Sequence, residues 1–160
     1  MAKDVEAGRL PHAPDRKNNA PPIIVVGLDG SPSSWDAFSW AAGEAVRSNG
    51  RLVAVNVTPF TDAAASFGVP FDYAGVAQTR REIADELKRD ATGRANELGV
   101  PLTFVSEQGD AAHCLTDVAR RLHANFVVVG RSAKVFHHLA GSLSHRITSR
   151  NNAPVVVVVP

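Results

Sequence analysis

The residues best suited to chemistry in this chain follow short apolar runs. Asp29, Gly30 and Ser31 come directly after the apolar run at 23–28, and Gly130 comes directly after the run at 126–129. A carboxylate in such a place can hydrogen-bond the hydroxyls of a ribose. A glycine lets the backbone approach an anion closely. These residue types suit a nucleotide ligand.

A second glycine, Gly141, precedes Ser142 where a helix can begin. The free N–H groups and the dipole of a helix N-terminus favour negative charge, so Ser142 could donate to a phosphate oxygen. The same pair is also an ordinary turn with a helix cap. Asp29 can likewise bond the backbone of its own turn. At this point both interpretations stand.

Other reactive residue types form weaker patterns. His137 and His138 are adjacent and so point in different directions. No third ligand, His145 included, follows at a spacing that is recognisable for a metal site, so we expect no metal site. Cys114 lies in the apolar stripe of its helix and is expected in the core. The phosphate-loop, dinucleotide and nucleophile-elbow motifs are absent, and no nucleophile–base pair stands out, so we expect no enzyme.

The elements that must position these residues alternate between strands and helices. Continuous β-branched runs predict five strands, at 23–28, 52–57, 102–106, 126–129 and 155–159. Strands separated by helical segments predict a single-domain α/β fold, an open parallel sheet with helices on both faces. Ligands of such sheets bind at the carboxyl ends of the strands, where Asp29 and Gly130 lie.

Local signals predict where the helices begin and end. Ser33 is predicted to cap the first helix, which stops at Asn49, and Asp110 and Ser142 are predicted to cap later helices. A stripe of apolar residues predicts a long helix before the third strand: Ile83, Leu87, Ala91, Ala95 and Leu98.

Composition narrows the class of protein further. The chain has 160 residues, enough for one domain, and its net charge of +1 argues against a nucleic-acid surface. Residues 1–21 are rich in proline and poor in large apolar groups, so we expect a disordered tail before a domain at 22–160. No apolar run is long enough for a membrane span or a signal peptide, so we expect a cytoplasmic protein without membrane contact.

Five segments taken together resemble the universal stress protein family. They are residues 23–31, 109–112, 127–130, 141–142 and 152–159. The resemblance covers about residues 22 to 160. It implies a five-stranded sheet of order 3-2-1-4-5, usually a homodimer, and a regulatory role in the stress response. Many members bind ATP, which magnesium can accompany, and others do not.

The resemblance also implies a role for each site residue. Asp29 would lie by the ribose, and Val57 would offer backbone groups to adenine. Gly30 and Ser31, in the turn with Asp29, are expected to belong to the same nucleotide site. The family loop after strand four, G-x2-G-x9-G-[ST], would hold the phosphates. Its positions here are Gly130, Gly141 and Ser142, and we expect Arg131 to lie with them around the phosphates.

The loop departs from the family pattern at its middle glycine. The ten residues between Gly130 and Gly141 contain none, so the loop is two residues short if Gly130 is the first family glycine. If Gly130 is the middle one, the first has become Val127. Arg131 and Lys134 could compensate with positive charge. The alternative function is therefore a dimeric interaction protein of the same fold that has lost nucleotide binding, and a weak ATPase is a third.

The C-terminal strand carries the expected dimer contact. Val155–Val159 is uncharged and lies at a sheet edge in the order that the resemblance implies. An exposed edge is a template for strand pairing, so we expect it to pair with its own copy around a two-fold axis.

Overall fold

A parallel five-stranded sheet forms the centre of the molecule. The computed structural model describes residues 20–59, 73–131, 143–148 and 155–160. The sheet has the order β3-β2-β1-β4-β5, as expected. Its strands are β1 (Ile23–Gly27), β2 (Arg51–Thr58), β3 (Leu102–Gln108), β4 (Phe126–Gly130) and β5 (Val155–Val159). Most of the expected tail, residues 1–19, lies outside the described part of the chain.

Helices cover both faces of the sheet, which confirms the expected fold class. They are α1 (Pro32–Ser48), α2 (Tyr73–Glu97), α3 (Ala111–Arg121) and α4 (Leu143–Thr148). The first two helices pack on one face, and the last two pack on the other. Among the helices that the structure describes, none is long and apolar enough to cross a membrane.

Alternation along the strands divides the core into two layers. Ile24 and Val26 of β1 pack against Phe38 on the α1 face, while Val25 packs against Leu115 of α3 on the other face. Successive side chains of a strand point to opposite faces, so a central strand covered on both sides must be apolar throughout. This requirement explains the unbroken β-branched runs in the sequence.

The first helix begins two residues earlier than predicted. Ser31, not Ser33, is the N-cap, and its side chain accepts a hydrogen bond from the Ser34 N–H. Pro32 occupies the first turn, where its fixed φ suits a helix and its missing N–H has no cost. The predicted stop is confirmed, because Asn49 adopts the left-handed conformation with φ at 51°.

The apolar stripe of α2 is shorter than predicted. Leu87 and Ala91 are buried with Ala95, but Ile83 and Leu98 are 50% and 51% exposed. Leu98 also falls beyond the end of the helix at Glu97. The stripe therefore covers the sheet with its middle portion only.

Two other predicted residues stand as expected, whereas Ser142, the predicted cap of the last helix, lies outside the described residues. Cys114 is buried, and Asp110 caps α3 by accepting a hydrogen bond from the His113 N–H. Burial, with the nearby acidic side chains Glu107, Asp110 and Asp117, raises the pKa of the Cys114 thiol. The thiol is therefore a neutral core group.

Candidate ligand site at the carboxyl edge of the sheet

Three neighbouring strands bring the predicted site residues to one edge. β1 lies between β2 and β4, and all three run in the same direction, so their carboxyl ends meet. Asp29 follows β1, Val57 lies near the end of β2, and Gly130 ends β4. Two other predicted site residues, Gly141 and Ser142, lie outside the described residues.

A tight turn after β1 presents the Asp29 carboxylate. The Ser31 N–H donates to Asp29 Oδ1 at 2.9 Å, and Gly30 has a φ of +85°. A Cβ at Gly30 would lie 3.3 Å from Leu87 of α2, so glycine is favoured by both conformation and space. Asp29 is therefore a turn aspartate, yet its side chain is exposed. The two interpretations made from the sequence are compatible.

Hydrogen bonds hold the Asp29 carboxyl in its charged form. Partial burial alone would raise its pKa, but hydrogen bonds from Ser31 and Ser34 outweigh that effect, and the pKa lies below the ordinary value of 3.8. The carboxylate is thus ionised throughout the neutral range. Such a group can accept hydrogen bonds from sugar hydroxyls.

The lowered pKa of Asp29 predicts a pH dependence of stability. A depressed pKa in the folded state means that the ionised group stabilises the fold above its unfolded-state pKa, and that this contribution is lost as pH falls through the folded pKa. We expect the difference in unfolding free energy between the wild type and Asp29→Asn to be constant above about pH 5 and to shrink at about pH 3. Urea unfolding at both values measures it. A difference that grows on acidification would contradict the prediction.

A buried serine supports the same turn. The Ser34 hydroxyl donates to the Ser31 carbonyl at 2.9 Å and accepts from the Asp29 N–H at 3.4 Å. Ser34 is 5% exposed. Sequence reasoning missed this residue, although a serine among the apolar positions of an amphipathic helix was the available signal.

The end of β2 extends beyond β1, its partner strand on one side. Pairing of β1 with β2 stops at Gly27 and Val55, followed by one further bond from the Leu28 N–H to the Val55 carbonyl at 2.9 Å. Val57 is two residues further on, so its backbone groups point to the same side as those of Val55. On that side β1 has already turned away at Asp29. The backbone of Val57 therefore faces the edge, while its side chain packs in the α3 layer of the core.

Gly130 is required by its contact with α1. A Cβ at this position would lie 2.2 Å from the Ser33 carbonyl oxygen and 2.4 Å from its carbonyl carbon. A Cβ does not come so close to backbone atoms that it is not bonded to, so only glycine lets the first turn of α1 pack on the end of β4 as it does. Gly130 therefore has a packing role that the sequence did not reveal. The next residue, Arg131, donates its N–H to the Val159 carbonyl at 2.7 Å and is exposed.

An ion pair ties α4 to α3. Arg146 Nη2 lies 2.6 Å from Asp110 Oδ2, at the residue that caps α3. Both side chains are partly exposed, so the pair orients the helices more than it stabilises them. It places the helix that follows residues 132–142, the segment of the expected phosphate loop.

Metal ligands do not gather in the described ranges. No group of three His, Cys, Asp or Glu side chains is placed there to hold an ion. His137 and His138 lie outside these ranges, as does Lys134, and the side chain of His145 is not described. The expectation about metal therefore stays a prediction for those residues.

Comparison with known proteins gives one consistent family. The model of the universal stress protein family matches residues 22–159. A universal stress protein of Mycobacterium tuberculosis is 30% identical, over 84% of this chain and 47% of its own length. The chain thus spans about half of that curated relative. A solved structure from the family in Burkholderia pseudomallei has a TM-score of 0.70 and 26% identity, and covers 86% of this chain and 95% of its own.

Solved structures with bound nucleotides share the fold. A universal stress protein in complex with cAMP has a TM-score of 0.68 and 23% identity, covering 87% of this chain and 97% of its own. A family protein from Arabidopsis thaliana with AMP bound has a TM-score of 0.63 and 20% identity, covering 87% and 91%. At these identities the likeness shows a common fold.

Proposed function

The chain belongs to the universal stress protein family, and from that premise we propose that it is a regulatory module that binds an adenine nucleotide. The proposed site is the carboxyl edge of β1, β2 and β4. Similarity to structures that hold cAMP and AMP supports an adenine ligand. ATP, accompanied by magnesium, is the expected nucleotide.

The observation that carries the proposal is the pairing of an exposed carboxylate with an open strand end. Asp29 is exposed and ionised beside the point where β1 turns away. The backbone of Val57 faces the edge of β2 that β1 leaves unpaired beyond Val55. A nucleoside needs acceptors for its ribose hydroxyls and a donor–acceptor pair for its base, and these two residues supply both kinds of group.

The phosphates are expected on the β4 side of the site. Gly130 packs on the first turn of α1, so phosphates near it would meet the positive end of that helix dipole. The exposed side chain of Arg131 adds positive charge. The family resemblance implies the same role for Gly141 and Ser142, which lie outside the described residues.

Calorimetric titration of the full chain tests the proposal. AMP and ATP with magnesium are the ligands, and GTP is the control. We expect a dissociation constant in the micromolar range or weaker, a binding free energy of about −8 kcal/mol or less favourable. No heat with millimolar AMP or ATP would overturn the proposal.

We expect the proposed module to bind the nucleotide without hydrolysing it. Incubation with ATP and magnesium should leave ATP intact, as judged by chromatography of the nucleotide pool. Steady release of ADP, by an activity that copurifies with the protein, would show instead that the protein is a weak ATPase.

One observation favours a second candidate, an interaction protein of the same fold without a nucleotide. The contact between Gly130 and Ser33 explains the glycine without any phosphate. The loop that follows has no glycine from residue 131 to 140. The titration above separates the two candidates, because the second predicts no binding.

We also propose that two copies associate through β5. The sheet order places Val155–Val159 at an edge, as the family resemblance implied. Val155 and Val158, whose side chains point to opposite faces of the sheet, are 60% and 44% exposed, so apolar groups remain uncovered on both sides of this edge. A second copy of the strand would pair with the edge and cover them.

A charge at Val158 should separate the two copies. Val157 packs against the α1 layer of the core, so a charge there would disturb the fold itself, whereas Val158 points to the opposite face and is 44% exposed. We expect Val158→Lys to shift the wild-type dimer to monomer in sedimentation velocity at micromolar concentration. Val46→Lys, at a residue of α1 that is 54% exposed, is the matched control and should stay dimeric. A monomeric wild type would contradict the proposal.

A further inference from the structure

A buried polar side chain makes the last hydrogen bond between β2 and the end of β1. Asn56 is only 5% exposed in a run of apolar residues. Its Nδ2 donates to the Leu28 carbonyl at 2.8 Å. A buried amide is costly unless it is hydrogen-bonded, and this bond reaches the residue just before Asp29. The side chain therefore fastens the end of β1 to β2 at the site.

The bond replaces one that a regular ladder would make. In a parallel pair, a residue that donates to one residue of its neighbour accepts from the residue two positions further along. The Leu28 N–H donates to the Val55 carbonyl at 2.9 Å, so the regular donor to the Leu28 carbonyl would be the Val57 N–H. Within the described residues, the donor to that carbonyl is the Asn56 amide instead. Pairing of β1 with β2 accordingly ends at Val55.

We propose that Asn56 is a positioning residue that keeps the backbone of Val57 available to a purine base. The inference rests on the proposed nucleotide function. Because the Asn56 amide bonds the Leu28 carbonyl where the Val57 N–H would otherwise do so, the Val57 N–H remains a donor and the Val57 carbonyl an acceptor at the edge. Adenine presents the complementary pair, an acceptor at its ring N1 and a donor at its amino group. Guanine presents the opposite pair there, so the free backbone of one residue discriminates between the bases.

Hydrogen exchange of the ligand-free full chain tests the positioning role directly. In the wild type we expect the Val57 amide to exchange at least ~10-fold faster than the Val55 amide, which lies inside the ladder. Asn56→Val removes the donor and suits a strand, so the Val57 N–H should bond Leu28 and its exchange should slow by about 10-fold. Asn56→Gln retains an amide donor and should restore fast exchange.

A second asparagine provides the matched control. Asn125 Oδ1 accepts from the Ile23 N–H at 2.9 Å, at the opposite end of β1. Asn125→Val should leave exchange at Val57 unchanged. Equal protection of Val57 and Val55 in the wild type, or no slowing in Asn56→Val, would overturn the proposal.

Ligand titration then separates this inference from the function on which it rests. AMP and GMP are the probes. Asn56→Val should lower affinity for AMP by about 10-fold and reduce the preference for AMP over GMP, whereas Asn125→Val should change neither. Absence of AMP binding by the wild type would reject the proposed function, while the exchange of Val57 would still decide whether Asn56 holds the strand end open. Unchanged base preference in Asn56→Val would overturn the role of Asn56 even if the wild type binds AMP.

Discussion

Gly130→Ala is expected to destabilise the chain severely. The added Cβ would lie 2.2 Å from the Ser33 carbonyl oxygen and 2.9 Å from the Ser34 nitrogen. These are backbone atoms, so the clash can be relieved only by moving α1 away from β4 and opening the core beneath Phe38. We expect the free energy of unfolding to fall by about 3 kcal/mol or more, at the upper end for overpacked sites.

A second glycine provides the matched control for that variant. Gly93 lies inside α2, and a Cβ there would meet nothing within 4 Å. Gly93→Ala should therefore stabilise the chain by about 0.5–1 kcal/mol, through helix propensity alone. Urea unfolding followed by circular dichroism measures both variants. A Gly130→Ala variant as stable as the wild type would show that the contact with Ser33 is wrong.

Asp29→Asn is expected to weaken nucleotide binding by about 10- to 100-fold, the scale of a hydrogen bond to a charged group. Asparagine keeps a side-chain oxygen that can accept from the Ser31 N–H, so the turn should persist while the charge is lost. The loss should be the same for AMP and ATP, because the carboxylate is expected to contact the ribose that both share. Calorimetric titration of the variant measures both constants.

A substitution that removes the same charge elsewhere on the surface controls for the change in net charge. Asp90 is exposed on α2, and Asp90→Asn removes the same charge away from the carboxyl edge. Its affinity for AMP should match that of the wild type. Equal affinities in Asp29→Asn and the wild type would remove Asp29 from the site.

Strands were the most predictable elements because burial on both faces leaves a simple signature. Val155–Val159 has the bounds that the valine run predicts, and β4 is longer by only Gly130. A strand between two helical layers needs apolar side chains at every position, and such runs are easily recognised. The order of the strands came from the family resemblance, since local patterns do not determine which strands are neighbours.

Helix ends and exposure were less predictable because they depend on tertiary geometry. α2 has 25 residues and is therefore about 37 Å long. β3 beside it has 7 residues and spans only about 23 Å. The helix must overhang the sheet, so Ile83 is exposed although its spacing matches the buried stripe. In the same way, Ser33 satisfies a capping pattern, but Pro32 shifts the cap to Ser31.

The candidate site was predictable in position but not in its internal contacts. The rule that ligands bind at carboxyl ends of parallel strands selected Asp29 and Gly130 from the sequence. The contact of Gly130 with α1 and the bond from Asn56 to Leu28 join residues far apart in the chain. No local pattern encodes such approaches, although a polar residue within an apolar strand marks a position to inspect.

NMR spectroscopy of the backbone amides during titration with AMP shows both whether the nucleotide binds and where it binds. We expect saturable shifts of the amides of Asp29, Gly30, Val57 and Arg131, at the carboxyl edge of β1, β2 and β4. We expect little change on β5 or along α2. Shifts confined to β5 or α2 would exclude the carboxyl edge as the site, and no shifts at millimolar AMP would reject nucleotide binding.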